Sequence, residues 1–182
     1  MKIFSAKSKV NFMLTALALC LAGCMGVPEG ARPVQGFDLE SYLGKWYEIA
    51  RLDHTFERGL TDVTAEYSLR DDGGVTVINR GFESDRNGWK DAEGKAYFVE
   101  DTSTGKLKVS FFGPFYGAYN VIALDQEAYQ WSLVAGPNTD YLWILSRTPV
   151  LDQAIIDQLL SQAESLGFSI EELIFVNQDR NQ

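Results

Sequence analysis

The chain has 182 residues, with 16 basic against 25 acidic side chains and a net charge of −9, which is long enough for one domain with a full hydrophobic core. That acidic balance excludes a nucleic-acid binder, whose phosphate contacts demand clustered Lys and Arg. One His and two Cys exclude a Cys/His metal centre and a multi-bridge disulfide framework.

The first element is an N-terminal leader. Lys2, Lys7 and Lys9 precede an almost wholly apolar run from Val10 to Leu21. As a helix, about 12 such residues rise only about 18 Å, short of a bilayer hydrocarbon core of about 30 Å. The run therefore reads as a signal peptide, residues 1–23, and not as a membrane span. Leu21-Ala22-Gly23-Cys24 resembles the lipobox of bacterial lipoproteins. The resemblance implies cleavage before Cys24 and lipidation of that residue on its thiol and its new amino group. Two or more acyl chains, at about 0.8 kcal/mol per buried CH₂, make a lasting anchor. Met25, where an Asp would redirect sorting, implies the bacterial outer membrane, with the body in the periplasm.

Cleavage removes three lysines and no acid, leaving 159 residues with 13 basic against 25 acidic side chains, a net charge of −12. Such a body gains little from an anionic lipid surface, so the acyl chains must do the tethering. Cys20 leaves with the leader and Cys24 is acylated, so no disulfide forms and the core alone stabilises the domain. Residues 24–35 read as the acylated Cys and a Gly- and Pro-rich tether of at most about 35–40 Å.

Residues 36–182 form the domain. From Phe37 the pattern is period two, with strands expected at Trp46 to Arg51, Asp62 to Leu69, Val75 to Gly81, Lys90 to Glu100, Lys106 to Phe112, Ala118 to Leu124, Tyr129 to Ala135 and Tyr141 to Arg147. Asp72-Gly73-Gly74, Asn87-Gly88, Gly113-Pro114 and Gly136-Pro137-Asn138 punctuate them, as hairpin turns require. Eight strands at hairpin spacing predict an all-β, antiparallel up-and-down barrel, the closure that leaves no open edge. The period then changes. Ile155, Ile156, Leu159, Leu160, Ala163 and Leu166 share one face of an amphipathic helix over Leu151 to Leu166, ended by Gly167 and packed outside the barrel. Ser169 and Glu172 suit a capping box for one further turn, followed by a short strand over Leu173 to Asn177.

A barrel of about eight strands holds one small ligand. Gly44-Lys45-Trp46 at the start of the first strand and Arg147 at the end of the eighth resemble the signature residues of the lipocalin family. The longer strings Tyr42 to Ala50, Tyr67 to Gly74, Lys108 to Tyr116 and Asp140 to Pro149 resemble in particular the bacterial branch, close kin of apolipoprotein D and the plant temperature-induced lipocalins. The resemblance implies that Gly44, Trp46, Asp125 and Arg147 are structural, with Arg147 stacked on Trp46 at the closed end. Leu124-Asp125 falls where the family has a Thr-Asp pair, so that hydroxyl is missing here. It further implies a ligand that is a fatty acid or lysophospholipid, stored or carried for membrane maintenance, and no enzyme activity, cofactor or metal.

Residues matching ligand-touching positions of apolipoprotein D are Tyr67, Asn79 and Trp143, with Ala65, Leu69, Val77, Tyr141 and Leu145 as same-face neighbours. Parity adds further inward positions. Trp46 inward carries Glu48 and Ala50 with it, leaving Tyr47 and Ile49 outside. Wet Lys106 and Lys108 put Leu107, Val109 and Phe111 inside, and Asn120 and Ile122 are the inward expectation for the sixth strand. The result is an apolar tube with a few polar groups, suited to an acyl chain with one polar end.

Glu48 is the anomaly, since a bare inward carboxylate costs several kcal/mol. It is expected either to pair with an inward Arg or Tyr, or to disfavour free carboxylates relative to zwitterionic lysolipids. His54 lies in the loop after the first strand. Phe56 and the run Phe111 to Tyr116 are read either as loop packing or as an apolar rim meeting a membrane or a homodimer partner. The competing functional classes are an enzyme, for which the predicted strands supply no thiol, His or Ser–His–acid set, and a ligand-free structural or adaptor lipoprotein with a filled barrel.

Overall fold

A computed structural model describes residues 25–181; Cys24 and the leader lie outside the described residues. A short helix, α1 (Leu39–Tyr42), begins at Asp38, whose carboxylate accepts from the Glu40 and Ser41 amides, filling the N-cap role. The strands follow as β1 (Gly44–Arg51), β2 (Leu60–Leu69), β3 (Val75–Glu83), β4 (Gly88–Phe98), β5 (Lys106–Phe112), β6 (Phe115–Leu124), β7 (Trp131–Ala135) and β8 (Leu142–Ser146). Each pairs with its chain neighbour, and β1 pairs with both β2 and β8, so the antiparallel sheet closes. The expected eight-stranded barrel is present. Tyr129 is not part of β7, because its φ of 54° places it in the preceding turn.

Helix α2 (Gln153–Ser165) starts at the cap Asp152, whose side chain accepts from the Ala154 amide. Gly167, at φ +82°, ends it in the left-handed conformation that glycine tolerates. Ile156, Leu159 and Ala163 of α2 bury against Ile49, Ala50, Leu133, Ala135, Leu142 and Ile144, the outer faces of β1, β7 and β8. Burying a Leu or Ile side chain contributes about 1.5–3 kcal/mol, so this seam fixes the helix on the wall. The turn at Ile170–Glu172 forms without a side-chain cap from Ser169, so the expected capping box is not made.

The final strand, β9 (Ile174–Phe175), is a two-residue annex on β1. Beyond it Gln178 donates to the Glu48 and Val63 carbonyls, at 2.8 and 2.9 Å. The fully buried Asp62 carboxylate holds the Arg180 amide at 2.7 Å and its guanidinium at 3.0 Å. This tail clasps β1 and β2 beside the register shift between Thr61 and Thr64.

Residues 25–35, expected as an extended tether, lie along the outer wall instead. Gly105 donates to the Val34 carbonyl and Val34 to that of Val121, at 2.9 Å each. Ala31 packs into the seam beneath α2, and Pro28 is buried.

Candidate functional site

The barrel has one floored end. The sharp chain reversal into β1 needs φ +90° at Gly44, which is why glycine stands there. Trp46 is wholly buried, stacks on Tyr42 at 4.7 Å and donates its indole N–H to the Tyr42 carbonyl at 2.8 Å. Arg147 lies 4.0 Å over the Trp46 ring and donates to the carbonyls of Ser41, Lys45 and Tyr129 at 2.7, 2.8 and 3.2 Å. Asp125 accepts from the amides of Glu127, Ala128 and Gln130, so the carboxylate organises the β6–β7 turn without the family's Thr.

Above that floor sits a ring of hydroxyls. Tyr119 Oη is 2.8 Å from Tyr42 Oη and 2.9 Å from Tyr67 Oη, and Tyr42 Oη is 3.1 Å from Ser132 Oγ. Burial pushes the Tyr42 phenol up to about 12 and raises Tyr67 and Tyr119 further, so all three remain neutral donors and acceptors.

The inner wall above the tyrosines is apolar. Val77, Val121, Val134 and Leu145 are buried, while Ala65, Val109, Phe111 and Trp143 pack against the same cluster but stay only partly buried. Asn79 is half-buried on the inward row of β3, across the ladder from Ala65 and Ala92. Phe111 lies across Gly94, where a Cβ would meet its ring at 2.8 Å. Tyr141 is just outside β8 and aligned with Trp143, at 6.3 Å between ring centroids.

Toward the open end the wall carries charge. Glu48 is buried and paired with Arg51 at 2.6 Å, the inward-Arg alternative expected for it. Arg51 Nη2 also donates to the Glu57 carbonyl at 2.9 Å. The Glu57 carboxylate accepts from Trp143 Nε1 at 3.1 Å, and His54 Nε2 lies 3.2 Å from it without the alignment of a hydrogen bond. Burial drives Glu48 well up, with the neighbouring Glu57 adding to the rise and Arg51 opposing it; burial likewise raises Glu57. Burial, helped by the Arg51 charge, lowers His54 to about 4, so the imidazole is neutral at pH 7. Arg51 Nε and both ring nitrogens of His54 are buried without a hydrogen-bond partner.

Four expectations fail here. Asn120 is not in the cavity: it faces outward beside Lys106 and Ala135, and donates to the Gly26 and Gly136 carbonyls at 3.0 Å each. Ile122 packs outside as well, on the same alternation as Asn120, because Tyr119 and Val121 are the inward pair of β6. The cross-strand partner was the available signal, since Leu107 opposite Tyr119 must share its face. Ala50 faces α2, because a bulge at Ile49 reverses parity after Glu48 and turns Arg51 inward. Leu69 is 59% exposed at the closed rim. Arg51, Glu57, Tyr42 and Tyr119 were missed. No period marks a bulge or a loop acid, and Tyr42 precedes the first strand.

A floored, closed antiparallel barrel with a partly exposed apolar inner wall defines a small-ligand-binding barrel. The pattern of the lipocalin-like domain matches residues 37–178, and the chain belongs to the lipocalin family. It is 56% identical over 165 residues to outer membrane lipoprotein Blc of Vibrio cholerae, covering 89% of this chain and 96% of that protein. It is 60% identical over 151 residues to outer membrane lipoprotein Blc of Citrobacter freundii, covering 83% and 85%. Temperature-induced lipocalin-1 of Arabidopsis thaliana is 36% identical over 149 residues, covering 77% and 78%. Among solved structures, insecticyanin of the tobacco hornworm Manduca sexta superposes with a TM-score of 0.67 at 24% identity, covering 84% and 86%; that likeness concerns the fold. The bacterial relatives place the chain among outer-membrane lipoproteins, in a family of binding proteins and not of enzymes.

Proposed function

We propose that the barrel binds one long-chain amphiphile, a fatty acid or lysophospholipid, and stores or carries it at the periplasmic face of the outer membrane, held there by acyl chains on Cys24. One observation supports this most directly. Ala65, Val109, Phe111 and Trp143 occupy inward positions of a closed barrel yet are not fully buried, as the lining of a hollow would be and that of a packed plug would not. The wall formed by these residues with Tyr67, Val77, Asn79 and Tyr141 suits the acyl chain. The polar end meets Glu48, Glu57, Arg51 and His54 near the mouth. Arg51 is already engaged by Glu48 at 2.6 Å with a second buried carboxylate close by, so the cluster offers no net positive charge, which favours a zwitterionic headgroup over a free carboxylate. Burying about 10–14 methylenes at about 0.8 kcal/mol each supplies roughly 8–11 kcal/mol before ordering costs.

The test is titration of delipidated protein with long-chain amphiphiles, alongside mass spectrometry of organic extracts of the native protein. Saturable uptake of one chain per barrel is expected; no uptake of any long-chain amphiphile would end the carrier reading. Cys24→Ser is expected to move the protein from the membrane to the soluble periplasmic fraction, checked by fractionation.

A further inference from the structure

We propose that the tyrosine ring at the closed end is a second polar subsite, which takes a hydroxyl or carbonyl oxygen carried near the far end of an acyl chain. The inference rests on the amphiphile-binding reading above and adds the chemistry of the ligand's buried end.

The ring holds one proton too many for its own contacts. Ser132, Tyr42, Tyr119 and Tyr67 form one chain of four hydroxyls, joined in that order by three contacts of 3.1, 2.8 and 2.9 Å. Each contact consumes one proton, and each hydroxyl brings one. Among the described residues these hydroxyls meet no other hydrogen-bond partner. One O–H is therefore left without an acceptor, whichever way the chain is directed. Concerted rotation of the hydroxyls moves that proton to any of the four oxygens, so it can follow the position of an incoming group. Unused lone pairs on the same oxygens accept in return.

The ring stands where the buried end of a ligand would finish. Tyr42 belongs to α1, which precedes the first strand, and Tyr67 pairs with Gly44 at the start of β1. Tyr119 faces inward opposite Leu107, one inward step from Gly117, the partner of Val109. Like Val109 and Ala65, it stays only partly buried in the inner wall, so the hollow reaches the ring. A chain ending in methyl would seal over the spare proton and leave it unmet, which a buried donor does not tolerate without cost. An oxygen at that depth accepts it, and a hydroxyl also donates back. Burial keeps all three phenols protonated, and the ring contains no counter-charge. It therefore suits a neutral oxygen, while the charged end of the ligand stays with Glu48, Arg51 and Glu57 toward the mouth.

The experiment titrates the mature protein, freed of co-purified lipid, with lysophosphatidylcholines of increasing chain length. Each is used with a plain chain and with a hydroxyl on the terminal carbon, and the affinity ratio of the two is read. In an apolar blind end the hydroxyl surrenders water for nothing and weakens binding by about ten- to a hundredfold. On the ring, that penalty is expected to vanish at the chain length whose terminus reaches Tyr119 and to remain for shorter chains. The triple variant Tyr42→Phe/Tyr67→Phe/Tyr119→Phe keeps the rings and removes the phenol network as a unit, an exchange close to neutral for a fold. In it the penalty is expected at every length. Plain chains that bind while the hydroxyl is penalised at every length in the unmodified protein overturn this inference and leave the carrier reading standing. A penalty that vanishes at the same length in both proteins also overturns it, because the oxygen is then met by something other than the phenols. Failure of both series to bind refutes the amphiphile reading and this inference with it. Should the variant not fold, the length series on the unmodified protein decides alone.

Discussion

At its closed end the barrel hides Trp46 completely beneath Arg147, whereas at its open end it leaves Phe112 and Phe115 about four-fifths exposed. The closed end answers its polar groups with each other. Arg147 meets three main-chain carbonyls, Asp125 meets three amides, and the Trp46 indole meets the Tyr42 carbonyl. The open end leaves Arg51 Nε and both His54 nitrogens buried and unmatched. Unmade buried hydrogen bonds cost about 1–3 kcal/mol each, a cost that a ligand's polar end removes if it supplies partners. Apart from the spare hydroxyl proton of the tyrosine ring, one end satisfies its polar groups internally, and the other leaves them open for the binding proposed above.

Breaking that division at the floor produces the largest effect. Trp46→Ala is expected to destabilise the domain by about 3–5 kcal/mol, read as a lowered denaturation midpoint. The folded fraction should keep its preference among amphiphiles, since Trp46 lies beneath the Tyr42–Tyr119–Tyr67 ring. Trp143→Ala, near the mouth, should reverse the pattern, with acyl-chain affinity weakened by about 1–3 kcal/mol in titration calorimetry and the barrel still folded. Loss of fold with unchanged affinity in the surviving fraction would instead assign Trp143 to the core.

A smaller effect sharpens the contrast through pH. His54 titrates near 4 in the fold against about 6.5 unfolded. Between these values the unfolded chain binds a proton that the folded one refuses, so this residue's contribution to stability is present above about pH 6.5 and is lost as pH falls toward 4. Glu48 and Glu57, raised by burial, act in the opposite sense: their folded forms hold protons longer, so their contribution falls as pH rises above the unfolded carboxyl range. His54→Phe retains a ring to stack on Phe56, 3.9 Å away, and should flatten the acid side of the stability–pH curve, measured by chemical denaturation between pH 4 and 6.5. An unchanged slope would show that His54 does not carry the acid dependence.

Periodicity was enough to predict the barrel and the outer helix, because alternation and turn chemistry are local properties of the chain; Trp46 and Arg147 were singled out by the resemblance to the lipocalin family. Parity placed Glu48, Leu107 and Phe111 correctly, since each strand concerned offered a fixed point, Trp46 or the wet lysines. It failed at Ala50, Asn120 and Ile122. Ala50 follows a one-residue bulge, where the inward face changes without any change in composition, whereas Asn120 and Ile122 share the outward face of a strand for which the sequence offered no fixed point. The register of β6 depends on β5, twelve residues away between Leu107 and Tyr119.

The sequence by itself determined a closed barrel with an apolar lining and an acidic body, because burial periodicity and segment composition are written residue by residue. Tertiary structure alone decided that Arg51 answers Glu48, that His54 and Glu57 fold in from a loop to meet Trp143, and that residues 25–35 lie along the outer wall beside β6. Each of those depends on which distant backbone groups come within hydrogen-bonding reach, and no local pattern encodes that.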